Sequence, residues 1–387
     1  MFLMLLTIIY VAFISLGLPD SVLGAAWPVM HSEFQVSLTS ASTISTIICC
    51  LTIVSSLNAD RLINRFGTGK LTAFSVMLTA IALFGFSIST EFYQLCLWAI
   101  PYGLGAGAVD SGLNNYVALH YSSRHMSWLH CFWGIGASIG PYVMGYTLTN
   151  LNSWRMGYRI IAIFQVILTA IIFISLPIWR GPVVSNEQEA VHIPLNKALK
   201  LPGAISICVA FLFYCALETT SGLWASSYLV TCKNIQPETA AFFASLFYTG
   251  ITIGRFLSGF ISEKLGDTRM IRLGEGILVI GIVLVIVSPS EIPALSGLVL
   301  IGIGCAPIYP SVIHSTPARF GRANSQSLVG IQMASAYVGS AASPKVFQLV
   351  SDKISIGIYP WALALLAVIL IAMTEVSNRA MVNRNNF

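Results

Sequence analysis

Asp110 and Asn114 lie one helical turn apart inside a long apolar stretch, Gly103–Tyr116, GLGAGAVDSGLNNY. At helical spacing Gly103, Gly107, Asp110 and Asn114 share one face. The two glycines admit another helix's backbone closely, and the carboxylate and amide meet whatever lies beyond. A carboxylate facing hydrocarbon costs at least about 2.5–3.5 kcal/mol, so this face is expected to line a bundle interior or a watery cavity. A dehydrated carboxylate takes up a proton readily and releases it on hydration, which is what proton coupling requires. The competing reading is an acid held by neighbouring helices for packing alone.

Other polar residues interrupt apolar sequence in the same way. Asp20 follows Pro19, which frees a backbone carbonyl in the first apolar segment. Asp20 reads either as a second coupling acid or as a carboxylate accepting local helix hydrogen bonds. Asn114 and His130 fall at similar depths and together could hydrogen-bond a hydroxylated solute. Glu218 lies near midplane, with Trp224 and Tyr228 beyond it. The Trp224 ring suits stacking on a sugar face, the alternative being an interfacial aromatic belt, which is the expected place for Tyr228. Tyr214, Tyr248, Tyr309 and Gln332 complete the solute-binding candidates. Arg255 and Glu275 fall at matching levels and are expected to form a structural ion pair, while Lys345 and Glu375 should snorkel to the interfaces. His120, His125 and His130 recur every five residues, which aligns on no helix face, so no metal site is expected. The sequence holds no HExxH, no aspartate-rich metal motif and no nucleophile elbow, and its eight cysteines form no CxxC pair. An enzyme is therefore not expected, nor a cofactor.

These residues need a membrane to hold them. The chain is 56% hydrophobic and 9% charged over 387 residues, against about 25% charged in soluble domains. Its net charge of +5 follows from basic loops at a bilayer surface rather than from a nucleic-acid partner. Twelve segments are long enough to span, at 3–29, 38–61, 70–89, 92–119, 127–149, 156–178, 204–230, 238–262, 270–288, 292–316, 325–349 and 356–377. The proline-bearing polar stretch 179–203 separates six from six, giving a first bundle at 1–178 and a second at 204–387. With the N-terminus inside, fourteen of the twenty Lys and Arg residues fall on the cytoplasmic side, so both termini are expected there.

The halves look duplicated. Asp20 with Gly24 and Trp27 echoes Glu218 with Gly222 and Trp224. Asn64-Arg65-Phe66-Gly67 matches Glu263-Lys264-Leu265-Gly266, Gly103-Leu104-Gly105 matches Gly302-Ile303-Gly304, and Pro141 matches Pro344, all at offsets near 199. Two six-helix repeats with a midplane site are a common plan of secondary transporters.

Over essentially its whole length the sequence resembles the major facilitator superfamily. Gly136-x3-Gly140-Pro141-x3-Gly145 is similar to that superfamily's glycine-proline motif, and Gly259-x3-Glu263-Lys264-x-Gly266 to its G-x3-D-R-x-G loop signature. The N-terminal copy departs, with Asn64 where an acid is usual and Asp60 where glycine is usual. Four further patterns resemble the fucose permease-type sugar:proton symporters: Gly17-Leu18-x-Asp20 leading to Trp27-Pro28; Gly105-x-Gly107-x2-Asp110-x3-Asn114; His130-x2-Trp133-Gly134; and Tyr214-x3-Glu218-x3-Gly222-x-Trp224-x3-Tyr228. The resemblance implies an all-α membrane protein of twelve helices in two pseudo-symmetric bundles, with Asp20 and Asp110 matching the family's helix-1 and helix-4 acids. It implies Asn64, Arg65, Glu263, Lys264 and Pro141 as gating or structural residues. The expected function is proton-coupled symport of a sugar or similar hydroxylated solute, by a monomer in the plasma membrane (the inner membrane of a bacterium). Sodium in place of protons, and proton-driven export of drugs or amphipathic metabolites, stay open.

Overall fold

Apolar segments joined by very short turns leave the backbone of a membrane protein little choice but helix, since every N–H and C=O must be satisfied internally. In the computed structural model residues 2–20, 22–37, 40–179, 194–287 and 291–385 are described, and among them there is no strand. The elements are α1 (Phe2–Asp20), α2 (Val22–Glu33), α3 (Ala41–Phe66), α4 (Thr68–Ile88), α5 (Phe92–His120), α6 (Ser123–Leu151), α7 (Trp154–Ser175), α8 (Leu195–Ala198), α9 (Ala204–Lys233), α10 (Pro237–Leu265), α11 (Asp267–Val287), α12 (Glu291–Phe320), α13 (Arg322–Ser351) and α14 (Tyr359–Asn385). With α1 and α2 taken as the first predicted span and the single-turn α8 set aside, these are the twelve expected segments. Four of them, α5, α6, α10 and α13, are not apolar enough to count as spans on composition alone. They carry Asp110, His130, Arg255 and Gln332, polar groups that only a protein interior can accommodate.

The chain divides into two compact units, residues 1–116 with 129–192, and 117–128 with 193–387. The segment 117–128, which the sequence assigns to the first bundle, packs in the second unit. Most of the expected linker, residues 180–193, lies outside the described residues.

Each unit repeats the same set of helix neighbours. In the first, a Cβ on Gly103 of α5 would meet the Ile48 carbonyl of α3 at 2.5 Å; in the second, one on Gly302 of α12 would meet the Phe247 carbonyl of α10 at 2.3 Å. Both pairs are separated by one offset (302 − 103 = 247 − 48 = 199). Gly136 of α6 presses on the Ile14 carbonyl of α1, as Gly339 of α13 presses on Leu212 of α9. The one-residue turns repeat as well. Gly67 between α3 and α4 has φ 78° and ψ 156°, and Gly266 between α10 and α11 has φ 76° and ψ 158°. Both lie where a side chain is strained, which explains why the loop signature ends in glycine.

Candidate functional site

In the first unit the close approach of α1 and α6 builds one end of a polar cluster. A Cβ on Gly17 would lie 2.1 Å from the Trp133 carbonyl, and one on Gly140 would lie 2.0 Å from that of Leu18. That approach brings α1's terminal Asp20 beside Trp133. The Trp133 indole N–H donates to Asp20 Oδ2 at 3.0 Å, and the Tyr102 hydroxyl of α5 donates to Oδ1 at 3.3 Å. Asp20 is nonetheless exposed, so the carboxylate is held at both oxygens and still reachable.

The other end is a chain of three side chains. Asn114 Nδ2 donates to Asp110 Oδ1 at 2.8 Å and to the Asp110 carbonyl at 3.0 Å, and Asn114 Oδ1 faces His130 Nε2 at 2.9 Å. Since that amide oxygen can only accept, His130 carries its proton on Nε2. Phe13 packs edge-on against the imidazole at 5.5 Å. Asn114 is fully buried and His130 nearly so, whereas Asp110 is half-buried. The amide thus faces the carboxylate, and the imidazole the amide, rather than an accessible surface. The glycine face of α5 behaves as its spacing predicts at Gly103 and Gly107, which meet α3, while Asn114 finds its partner on α6.

The second unit has a different chemistry. Arg255 Nη2 of α10 lies 3.7 Å from Glu218 Oε2 of α9, with side chains 4% and 19% exposed. The Tyr214 hydroxyl bridges Glu218 Oε2 and, at 3.0 Å, the Cys305 carbonyl of α12. Arg255 also stands 5.8 Å from the centre of the Tyr309 ring, whose hydroxyl points to Met333 Sδ at 3.4 Å. The expected Arg255–Glu275 pair is therefore corrected. Glu275 instead accepts from Thr374 of α14 at 2.7 Å, and Arg255 faces the acid on α9. Matching depth did not identify the partner, because rotation about the helix axis decides which neighbour a side chain faces.

The remaining candidates divide. Gln332 is fully buried and accepts from Thr316 at 3.0 Å, its amide nitrogen reaching no acceptor among the described residues. Trp224 tilts against Phe347 at 5.4 Å, and its indole N–H is likewise unmatched. Tyr228 is buried and stacks on Tyr359 at 5.0 Å, so it is core rather than interfacial belt. Tyr248 is exposed, its hydroxyl lying where a Cβ on Gly222 would fall. Pro141 follows Gly140 at the α1 contact within α6. Glu375 is taken by Arg272 at 2.7 and 2.9 Å, and Lys345 is exposed.

Of the loop-signature residues, Glu263 accepts from Ser122 at 2.6 Å and from Arg124 at 2.7 Å, tying 117–128 to α10 inside the second unit. The Ser122 bond and the Arg124 charge outweigh desolvation and hold the Glu263 carboxyl below its ordinary value. In the N-terminal copy Asn64 donates to Asp60 one turn back at 3.2 Å, and Arg65 sits over the Phe66 ring at 5.3 Å. Lys264 is exposed.

Tyr102 and Trp133 as the holders of Asp20 were not legible as such, although Trp133 belongs to one of the quoted patterns and Tyr102 directly precedes Gly103. His314 was missed as well. Its ring spans Asp267 Oδ2 at 2.7 Å and the Tyr121 carbonyl at 3.2 Å, again within the second unit.

The family model described as Major Facilitator Superfamily matches residues 9–231 and 206–376. The chain is similar to bypass of stop codon protein 6 of Saccharomyces cerevisiae, at 25% identity over 66% of this chain and 56% of that protein, so it spans just over half of that relative. It is 24% identical to the glucose/mannose transporter GlcP of Bacillus subtilis, over 78% of this chain and 77% of that one. Its fold matches the crystal structure of the Escherichia coli fucose:proton symporter FucP (N162A) with a TM-score of 0.79 at 14% identity, over 97% and 98% of the two chains. The protein is a multi-pass membrane transporter, not an enzyme, and it belongs to the Major Facilitator Superfamily.

Proposed function

We propose that the protein is a proton-coupled symporter that imports a neutral, hydroxylated small solute such as a hexose. The observation that carries this reading is the Asp110–Asn114–His130 chain, a half-buried carboxylate whose orientation is fixed by a buried amide and imidazole in a membrane bundle. Such a carboxylate can exchange a proton with water as its hydration changes during alternating access. Asp20, held at both oxygens yet exposed, serves as the second coupling acid. Glu218 accepts solute hydroxyls; the donors of Trp224 and Gln332 are unmatched but buried, so they serve a solute only as the site opens around them. The similar proteins, a glucose/mannose transporter and, in fold, a fucose:proton symporter, support a sugar and a proton. By the Lys/Arg distribution both termini are cytoplasmic in a plasma or bacterial inner membrane, and the transporter works as a monomer.

The test is uptake into proteoliposomes. Wild-type protein should accumulate radiolabelled hexose when the outside is acidified, while Asp110→Asn should lose accumulation yet keep exchange of solute down its own gradient. Accumulation driven by a sodium gradient at constant pH would replace the proton in this reading. Efflux of dyes with no hexose counterflow would replace import by export.

A further inference from the structure

The common frame of the two units shows where their chemistry diverges. Offsets of 198 and 199 set Glu218 opposite Asp20 (218 − 20 = 198), Arg255 opposite Ser56 (255 − 56 = 199) and Tyr309 opposite Asp110 (309 − 110 = 199). Ser56 has a modest task in its unit, donating to the Gly107 carbonyl at 3.1 Å. At the corresponding place the second unit has a guanidinium, 3% exposed, in the interior of a membrane protein. A buried charge of that kind is costly unless it is matched, and packing alone would be served by a smaller neutral group. Its match is Glu218, the more accessible member of the pair, with Tyr214 and Tyr309 closing the other sides.

We infer that Arg255 determines solute specificity: as the counter-charge behind Glu218, it makes this site charge-balanced and so selects neutral hydroxylated solutes over sugar acids. The inference rests on the reading that Glu218 receives the solute. Glu218 meets the solute first, accepting hydrogen bonds from its hydroxyls and repelling a solute carboxylate. Arg255 lies deeper, at 3.7 Å from the acid, which exceeds the roughly 2.7–2.9 Å of a closed charge-assisted hydrogen bond. The pair is thus open enough for the carboxylate to turn toward a hydroxyl without losing its counter-ion. Removing the acid alone leaves a buried guanidinium that a solute carboxylate can neutralise, turning the site from hydroxyl-accepting to anion-accepting. Removing both charges abolishes the repulsion without creating the attraction.

The experiment compares D-galactose with D-galacturonate, one ring with and without a carboxylate, by calorimetric titration of purified wild-type, Glu218→Gln and Glu218→Gln/Arg255→Gln proteins. The galacturonate-to-galactose affinity ratio should rise from wild type to the double variant, and rise again in Glu218→Gln to about tenfold or more above wild type, the scale of one hydrogen-bonded charge. An unchanged ratio in both variants would overturn the inference. Glu218→Gln strands a buried charge; if it fails to fold, the double variant decides, and a ratio equal to wild type overturns the inference. Should wild type bind neither sugar, the hexose reading falls while the inference is decided by melting curves in acetate and in galacturonate against chloride. Stabilisation by carboxylates confined to Glu218→Gln supports it, and equal response in wild type refutes it.

Discussion

Gly136→Ala tests how the first unit holds its exposed acid. An alanine methyl there would lie 2.1 Å from the Ile14 carbonyl oxygen and 2.9 Å from its carbon. A carbon–oxygen contact settles near 3.3–3.6 Å, so α1 and α6 must part by roughly 1.2 Å or more. The Trp133–Asp20 hydrogen bond, 3.0 Å long, spans the same pair of helices, and adding that displacement takes it past the limit at which a hydrogen bond counts. Overpacking of this kind costs about 1–3 kcal/mol, and the cost bites in a membrane, where close packing of small residues rather than a hydrophobic driving force joins helices. The same helix supplies a control. A Cβ on Gly145 meets nothing within 4 Å, so Gly145→Ala should gain up to about 1 kcal/mol of helix propensity with no steric penalty. The assay is the melting temperature of both variants in detergent, together with the pH dependence of hexose accumulation in proteoliposomes. Gly136→Ala should melt several degrees below Gly145→Ala and show a displaced pH profile, because Asp20 has lost one of its two donors. Equal melting and an unaltered profile would refute the claim that the α1–α6 contact positions Asp20.

A second prediction concerns the end of the first unit where Trp154 and Arg155 of α7 meet Glu33 at 2.6 and 2.5 Å. Burial pushes the Glu33 carboxyl up, but the indole N–H and the guanidinium outweigh it and hold the group below its ordinary value. A depressed carboxyl contributes stability above its unfolded pKa, near 4.3, and loses it as pH falls through the folded value. Glu33→Gln should therefore lower the melting temperature at pH 7, with the difference from wild type closing below about pH 4; a gap that widens on acidification would reverse the sign. With Glu33's side chain 42% exposed, the effect should stay at or below about 1 kcal/mol. Topology gives a further check: in a background lacking the exposed Cys50 and Cys232, a cysteine at Asn234 should be labelled only from outside and one at Ser185 only from the cytoplasm. The opposite pattern would overturn the proposed orientation.

The fold was legible because its signals are one-dimensional. Apolar length marks the spans, the offset near 199 marks the repeat, and glycines such as Gly67, Gly136 and Gly302 mark where backbones must touch or turn. The polar partners were less legible, since they depend on helix rotation and on which neighbour lies across the groove. Asp110 and Asn114 pair along one helix, so spacing alone brought them together. Asp20 with Tyr102 and Trp133, and Arg255 with Glu218, cross between helices that no local pattern orients. Asn114 and His130 were placed at one level, and the structure joins them, though to each other and to Asp110 rather than to an accessible surface.

Duplication explains why depth misled in one half and not the other. The repeat copies backbone contacts at its matched glycines, down to the carbonyl that Gly103 and Gly302, or Gly136 and Gly339, meet, because a methyl group in those places forces helices apart. It does not constrain what projects from the remaining positions. Asp20, Ser56 and Asp110 in the first unit correspond to Glu218, Arg255 and Tyr309 in the second, so equivalent places carry two acids and a hydroxyl in one case, and an acid, a base and a phenol in the other. Two acids in one set favour taking up protons, whereas an acid paired with a guanidinium is free to accept hydroxyls without drawing in a cation. A transporter that couples one ion to one neutral solute needs both behaviours. On the proposed reading, dividing them between the repeats lets each unit keep the same packing while its charge is adjusted independently, and the Asp110 and Glu218 variants test that division.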